Sequence, residues 1–224
     1  MITSEISNGA FTPLPKKKTM SEEVAERIIL AIASGEQKPG DRLTEKGISD
    51  AMDISRVPVR EALLQLESVG VLAPTGGRGL QVGSFSKSQA HELREIRLAL
   101  EPIAFQRAIP LVRADPGRLN ALDPILAELA MLAGTDDGIR VADCDIRFHR
   151  EIIEISGSEL LLRTWSNLEP HMLIQMCNDW HYNSDRIGEL QMHRELREFL
   201  FEGDLADIGA LLDKHIPKIA GIDL

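Results

Sequence analysis

The run Ile54-Ser55-Arg56-Val57-Pro58-Val59-Arg60-Glu61-Ala62-Leu63, carried on by Leu66 and closed by Gly70, decides the fold of the first third of this chain. Ser55 is a good helix N-cap, and Pro58 is tolerated in a first turn, where backbone N–H groups have no intrahelical partner. Val59, Leu63 and Leu66 recur at helical spacing, so a helix from Ser55 to about Ser68 buries that stripe, and Gly70 ends it. Arg56 and Arg60 are one turn apart, so they share a face in the N-terminal half of this helix.

Upstream, Asp53-Ile54 is a tight turn after a short helix from Thr44 to Met52. Pro39-Gly40 is another turn, preceded by a helix from Ser21 to about Ser34. Ser21 serves as its N-cap, and Val24, Ile28 and Ala31-Ile32 form its apolar stripe. Downstream, Val71-Leu72-Ala73 and Leu80-Gln81-Val82 are short strands around the glycine-rich tip Pro74 to Gly79. Helix, helix, turn, helix, hairpin is the order of a winged helix-turn-helix, whose second helix of the pair enters a DNA major groove. Arg56 and Arg60 then face base edges, where an arginine fork takes guanine O6 and N7 together. At the hairpin tip, Arg78 reaches a phosphate or the minor groove, and the glycines allow close backbone approach. The alternative is a small helical unit with ordinary surface arginines.

The net charge of −10 does not exclude DNA, because it is unevenly spread. Residues 1–84 hold 10 Lys/Arg against 11 Asp/Glu, and residues 85–224 hold 15 against 24. Phosphates repel the acidic second part, so DNA contact belongs to the first. Residues 1–18, ending in Lys16-Lys17-Lys18, are expected to form a flexible arm. That start lacks the basic-then-apolar order of a signal peptide, and no apolar run is long enough to span a membrane. Cys144 and Cys177 form no disulfide framework, so a cytoplasmic protein is expected.

From Gly83 onward the pattern is helical. Six helices are expected, roughly 87–109, 116–133, 138–156, 159–180, 185–202 and 204–219, in an antiparallel bundle. Breaks fall at Pro110, Pro116, Gly134, Gly157, Asn183-Ser184 and Gly203. Four polar residues share apolar faces here. Asp145 and His149 lie one turn apart with Val141, Phe148 and Ile152; His193 goes with Leu196 and Leu200; His215 goes with Ile208 and Leu211-Leu212. His193 and His215 are equidistant in sequence from the Gly203-Asp204 turn, so two antiparallel helices hold them at one height. One carboxylate and three imidazoles suit a divalent ion, Zn²⁺ or Ni²⁺ first and Mn²⁺ or Fe²⁺ next, with positions left open for a ligand. The alternative is four separately hydrogen-bonded core residues. His91, His171 and His181 read as ordinary core or surface histidines, with His171 a candidate to line the cavity.

Two resemblances rest on these residues. Lys38-Pro39-Gly40 to Leu43, Ile54 to Leu63, Leu66-Glu67 to Gly70, and Arg78-Gly79 together are similar to the GntR family of winged-helix repressors. The resemblance implies a homodimer on a palindromic double-stranded DNA operator, with Arg56 and Arg60 reading bases and the wing glycine Gly79 close to DNA. Ser55 and Lys46 complete the expected DNA-facing set. Val57 departs from a common Thr, and Lys46-Gly47 stands where Arg or Glu is frequent. The second part resembles the FCD ligand-binding domain of the FadR-type branch, through Glu95 to Glu101, Asp145 to His149, Ser156 to Leu160, and His193 to His215. This implies a metal held by Asp145, His149, His193 and His215, and a small carboxylate effector near Arg97. Six helices place it nearer the VanR-like subgroup. On chemistry alone, Arg97 is equally a surface partner of Glu101 at i+4.

The expectation is a mainly α protein: an arm, a winged helix-turn-helix over residues 19–84, and an all-helical effector and metal-binding domain over 85–224. It is a DNA-binding regulator, a repressor, and not an enzyme. Two alternatives stay open at this point, a metal-dependent hydrolase and a regulator whose metal is purely structural or absent.

Overall fold

The structure is a computed structural model, which describes residues 18–77, 79–178 and 186–216. Helix α1 (Met20–Ala33) starts from Thr19, not Ser21. Glu22 lies three residues after Thr19, so the two exchange hydrogen bonds as a capping box: the Thr19 hydroxyl accepts from the Glu22 N–H, and the Thr19 N–H donates to the Glu22 carboxylate. Strand β1 (Arg42–Leu43) follows, then α2 (Glu45–Met52), capped by the Thr44 hydroxyl on the Gly47 N–H. Asp53 makes the tight turn in the left-handed conformation at φ 52°, and α3 covers Arg56–Ser68. Gly70, at φ 82°, turns the chain into β2 (Leu72–Pro74), which pairs antiparallel with β3 (Leu80–Val82). The two-residue β1 is too short for any alternation to announce it. It adds to the far side of β3, giving a sheet of order β1-β3-β2. Val24, Ile28, Ile32, Val59, Leu63, Leu66 and Val82 close the core beneath it.

Helix α4 (Lys87–Ala114) begins with a second capping box, Ser86 with Gln89, and runs straight through Pro110, where a break was expected. Pro110 is exposed, as is Gln106, whose carbonyl loses its helical donor, so water satisfies that carbonyl at little cost. Phe105, Ala108, Ile109 and Val112 pack both sides of the proline into the core. The helix ends at Asp115, before Pro116. The helix expected over 116–133 is split into a 3₁₀ turn (Pro116–Ala121) and α5 (Asp123–Leu132), because Pro124 lacks the N–H that would join them. Helices α6 (Gly138–Ile155), α7 (Glu159–Asn178), α8 (Arg186–Glu202) and α9 (Ile208–His215) complete the bundle. The expected extensions to residues 180, 185 and 219 lie outside the described residues, as do the arm through Lys17, Arg78 and His181. Among the described residues no helix is long and apolar enough to cross a membrane.

The bundle core gathers Phe105, Ile109, Leu122, Phe148, Ile152, Trp165, Leu196, Leu200 and Leu212. Helix α7 belongs to both parts. Trp165 is buried in the bundle, while Ile174, two to three turns on, is buried in the core under the small sheet. His171, between them, meets the end of α3: its Nε2 lies 2.6 Å from the Val69 carbonyl oxygen, so that nitrogen donates.

Candidate functional site

Two groups of side chains carry chemistry. The first is the exposed N-terminal half of α3. Ser55 occupies the N-cap position, yet its side chain makes no capping bond. The reason is local: Pro58 stands where the third helical N–H would be, so the hydroxyl loses that donor. Arg56 is exposed. Arg60 is also exposed, but its fork is engaged, with Nε and Nη2 donating to the two carboxylate oxygens of Glu45 at 2.8 and 2.9 Å. Glu45, at the start of α2, was not singled out in the sequence, because the 15-residue separation gives no helical signal. Lys46 lies beside Asp50 at 2.8 Å, one turn along α2. Val57 presents an apolar side chain, 65% exposed, from the same turn as Arg56. On the hairpin, Gly79 has φ 108° and accepts hydrogen bonds at its carbonyl from the N–H and hydroxyl of Thr75. A Cβ there would sit 3.3 Å from the Arg42 guanidinium.

The second group lies inside the bundle. Helix α6 contributes Asp145 and His149 from its inner face, α8 contributes His193, and α9 contributes His215 as its last residue. All four are buried, and one ligand atom from each falls within 4.8 Å of the others. His149 Nε2 lies 2.8 Å from His215 Nε2, and His193 Nε2 lies 2.9 Å from Asp145 Oδ1. Asp145 Oδ1 is 3.9 Å from both His149 Nε2 and His215 Nε2. The Gly203-Asp204 turn brings His193 and His215 together, and α6 sets Asp145 and His149 against them.

What lies behind these atoms fixes which nitrogen faces the centre. His193 donates Nδ1–H to the Glu189 carbonyl at 2.8 Å, so Nε2 is the nitrogen turned inward, toward Asp145. His149 Nδ1 lies 2.7 Å from Glu101 Oε2, an ion-pair contact that turns its Nε2 toward the centre. The other Glu101 oxygen accepts from Arg97 Nε at 2.7 Å. Arg97 and Glu101 thus form the i,i+4 pair that the sequence allowed, but in the interior rather than on the surface: Arg97 is 6% exposed and Glu101 2%. The signal was present, since positions 97, 101, 104, 105 and 108 trace the buried face of α4. Arg97 also stacks on Trp165, with its guanidinium carbon 5.6 Å from the ring centre.

The carboxylates set the electrostatics of the cluster. Burial alone raises a carboxyl, but the Arg97 and His149 charges outweigh it at Glu101 and bring that group down to about 2. At Asp145 burial is likewise outweighed, by the His193 hydrogen bond and the His149 charge, and its carboxyl is held below the ordinary range. Burial and the neighbouring imidazoles push His215 well down, toward the neutral ligand form. At His193 the Asp145 hydrogen bond overcomes burial and raises it. Among the described residues, Asp145 Oδ2, His215 Nδ1, Arg97 Nη2 and Trp165 Nε1 are buried without a hydrogen-bond partner. Orphaned polar atoms around three close imidazole nitrogens and a carboxylate are what a cation and its ligand would satisfy, so the residues fit a divalent ion. His171 does not reach this cluster, because its ring is turned to Val69; His91 Nε2 lies 3.6 Å from Glu95 on the same helix.

Comparisons with known proteins agree with this division of labour. Residues 20–82 match the family described as bacterial regulatory proteins, gntR family, and residues 92–217 match the FCD domain. The chain is 31% identical over 173 residues to the uncharacterized HTH-type transcriptional regulator YdhC of Bacillus subtilis (strain 168), across 75% of this chain and 74% of that protein. It is 27% identical over 184 residues to the HTH-type transcriptional regulator McbR of Escherichia coli (strain K12), across 82% and 80% of the two chains. Over 157 residues it is 31% identical to the gluconate operon transcriptional repressor of Bacillus subtilis (strain 168), across 70% of this chain and 63% of that one. The solved structure of E. coli McbR/YncC shares the fold, with a TM-score of 0.71 at 23% identity over 89% of this chain and 94% of that one. These proteins are named as transcription regulators, which removes the hydrolase alternative.

Proposed function

The chain belongs to the GntR family of bacterial regulatory proteins and carries an FCD domain, and we propose that it is a cytoplasmic repressor whose grip on its operator is set by a small carboxylate bound beside a divalent metal. Residues 19–84 form the DNA-binding unit and residues 85–224 the sensor. The observation that carries the sensor reading is the convergence of four buried ligand atoms from α6, α8 and α9 within 4.8 Å.

On the DNA side, a homodimer presents two α3 helices to the half-sites of a palindromic operator. Arg56 and Arg60 read guanines, Ser55 and Lys46 contact phosphates, Arg78 serves a phosphate or the minor groove, and Gly79 lets the wing backbone approach. Glu45 holds the Nε side of the Arg60 fork, so the outer edge of the guanidinium is presented to the groove. Val57, in place of a hydroxyl, offers an apolar contact suited to a thymine methyl.

On the sensor side, Asp145, His149, His193 and His215 would hold Zn²⁺ or Ni²⁺, with Mn²⁺ or Fe²⁺ as weaker candidates; the ion supplies positive charge and open positions for an oxygen ligand. Arg97 binds a second oxygen of the same carboxylate through Nη2, which is buried without a partner. Trp165 covers the Arg97 guanidinium. Because Trp165 and His171 lie on one helix, a ligand that shifts α7 also shifts the support under the end of α3. Such a ligand changes operator affinity by its unequal affinity for the two arrangements.

The test is selection of bound sites from a random DNA pool, followed by operator titration with and without sugar acids, hydroxy acids and aromatic acids. The reading expects a palindromic site whose affinity one of these acids changes. Enrichment of no sequence, or an affinity indifferent to every acid, overturns it.

A further inference from the structure

The three imidazoles of the cluster are not held alike. His149 has Glu101 behind it, and His193 has the Glu189 carbonyl. His215 Nδ1 is buried with no hydrogen-bond partner among the described residues, so nothing behind the ring, on the side away from the cluster, fixes its direction. His215 is also the final residue of α9, an eight-residue helix. The carbonyls of a last helical turn have no intrahelical donors, and such a turn frays unless something caps it.

Arg94 supplies that cap from α4. Its Nε donates to the Ile216 carbonyl at 3.2 Å, and its Nη2 reaches the Asp213 carbonyl at 3.3 Å and the Asp213 carboxylate at 2.5 Å. One guanidinium therefore grips the chain on both sides of His215. The Arg94 side chain is only 11% exposed, and it sits one turn before Arg97, on the helix that also carries Glu101. A positive group at a helix C-terminus is further favoured by the helix dipole.

We infer that Arg94 is a positioning residue for the metal centre: by clamping residues 213 and 216 it holds His215 in ligating position, as Glu101 and the Glu189 carbonyl do for the other two imidazoles. The inference rests on the proposed metal reading and adds a residue outside the ligand set. It makes α4 the common support of His149, through Glu101, and of His215, through Arg94.

A double-mutant cycle tests it. Zn²⁺ affinity is measured by chelator competition on the full chain as wild type, Arg94→Ala, His215→Ala and the double variant, with Arg94→Lys alongside. Loss of an outer support costs about 10–100-fold in metal affinity, and that is the drop expected for Arg94→Ala. Arg94→Lys keeps the charge without the fork and should fall between. In the His215→Ala background, removing Arg94 should change affinity no further, because the group it positions is gone. An equal drop in both backgrounds, or none in either, overturns the inference while leaving the metal site standing. A wild-type chain that takes up no Zn²⁺ overturns the metal reading and the inference with it. If Arg94→Ala fails to fold, Arg94→Lys completes the cycle: a smaller drop in the wild-type background and none in His215→Ala is expected, and an equal drop in both or none in either overturns the inference.

Discussion

His171 and Val69 tie the sensor to the recognition helix: Nε2 of His171, on α7, donates to the carbonyl of Val69, the residue that caps the C-terminus of α3, across 2.6 Å. Gly70 lies directly beneath the same ring, 3.9 Å from it by the position a Cβ would take. Six residues earlier on α7, at about 1.5 Å of rise per residue, Trp165 packs over Arg97 beside the buried His/Asp cluster. One helix, with Pro170 inside it, thus carries both a residue at the buried His/Asp cluster and a residue at the end of α3.

Replacing His171 with Ala should cost about 1 kcal/mol of stability, the worth of one hydrogen bond, and leave metal content unchanged. The response of operator affinity to an effector should shrink markedly. Titrations of the variant with and without a stabilising acid check this, and a response equal to that of the wild type would place the coupling elsewhere.

Arg56→Ala and Arg60→Ala should each lose about 1–3 kcal/mol of specific binding and relax discrimination at one base pair. Binding to random DNA should fall much less. Glu45→Gln gives the complementary signature: weaker discrimination at the Arg60 position but firmer non-specific binding, since a negative charge has left the phosphate-facing side. Competition titrations on cognate and scrambled duplexes at fixed salt separate these outcomes.

A small carboxylate should raise the melting temperature of metal-loaded protein through mass action on the folded state. The shift should be much smaller for Arg97→Ala and for metal-stripped protein, because each lacks one of the two anchors for the carboxylate oxygens. A thermal-shift screen of the three acid classes measures it. Equal shifts in all three proteins would mean that the acid binds at another site.

Periodicity made much of this legible, and packing hid the rest. Asp145, His149, His193 and His215 were readable because each polar group interrupts an otherwise apolar helical face, and because the Gly203-Asp204 turn sets two of them at one height. The recognition helix was readable from its stripe and its bounding Gly70. What stayed hidden depends on pairs distant in sequence. Glu101 meets His149, Arg94 meets the end of α9, Glu45 meets Arg60, and His171 meets Val69, and no local pattern encodes such contacts. Helix starts and stops were also imperfect. Thr19 displaced Ser21 because only Thr19 has an acidic residue at the third position, and Pro110 failed to break α4 because it and Gln106, which loses a helical donor, lie on the exposed face.

The central claim, that the bundle of this regulator is a metal-linked sensor, is tested most directly by elemental analysis of the protein purified without an affinity tag, alongside His149→Ala and His215→Ala. The expected result is close to one divalent ion per chain in the wild type, little in either variant, and a lowered melting temperature in both. A wild type free of metal, whose melting is unmoved by added Zn²⁺ or Ni²⁺, would contradict it.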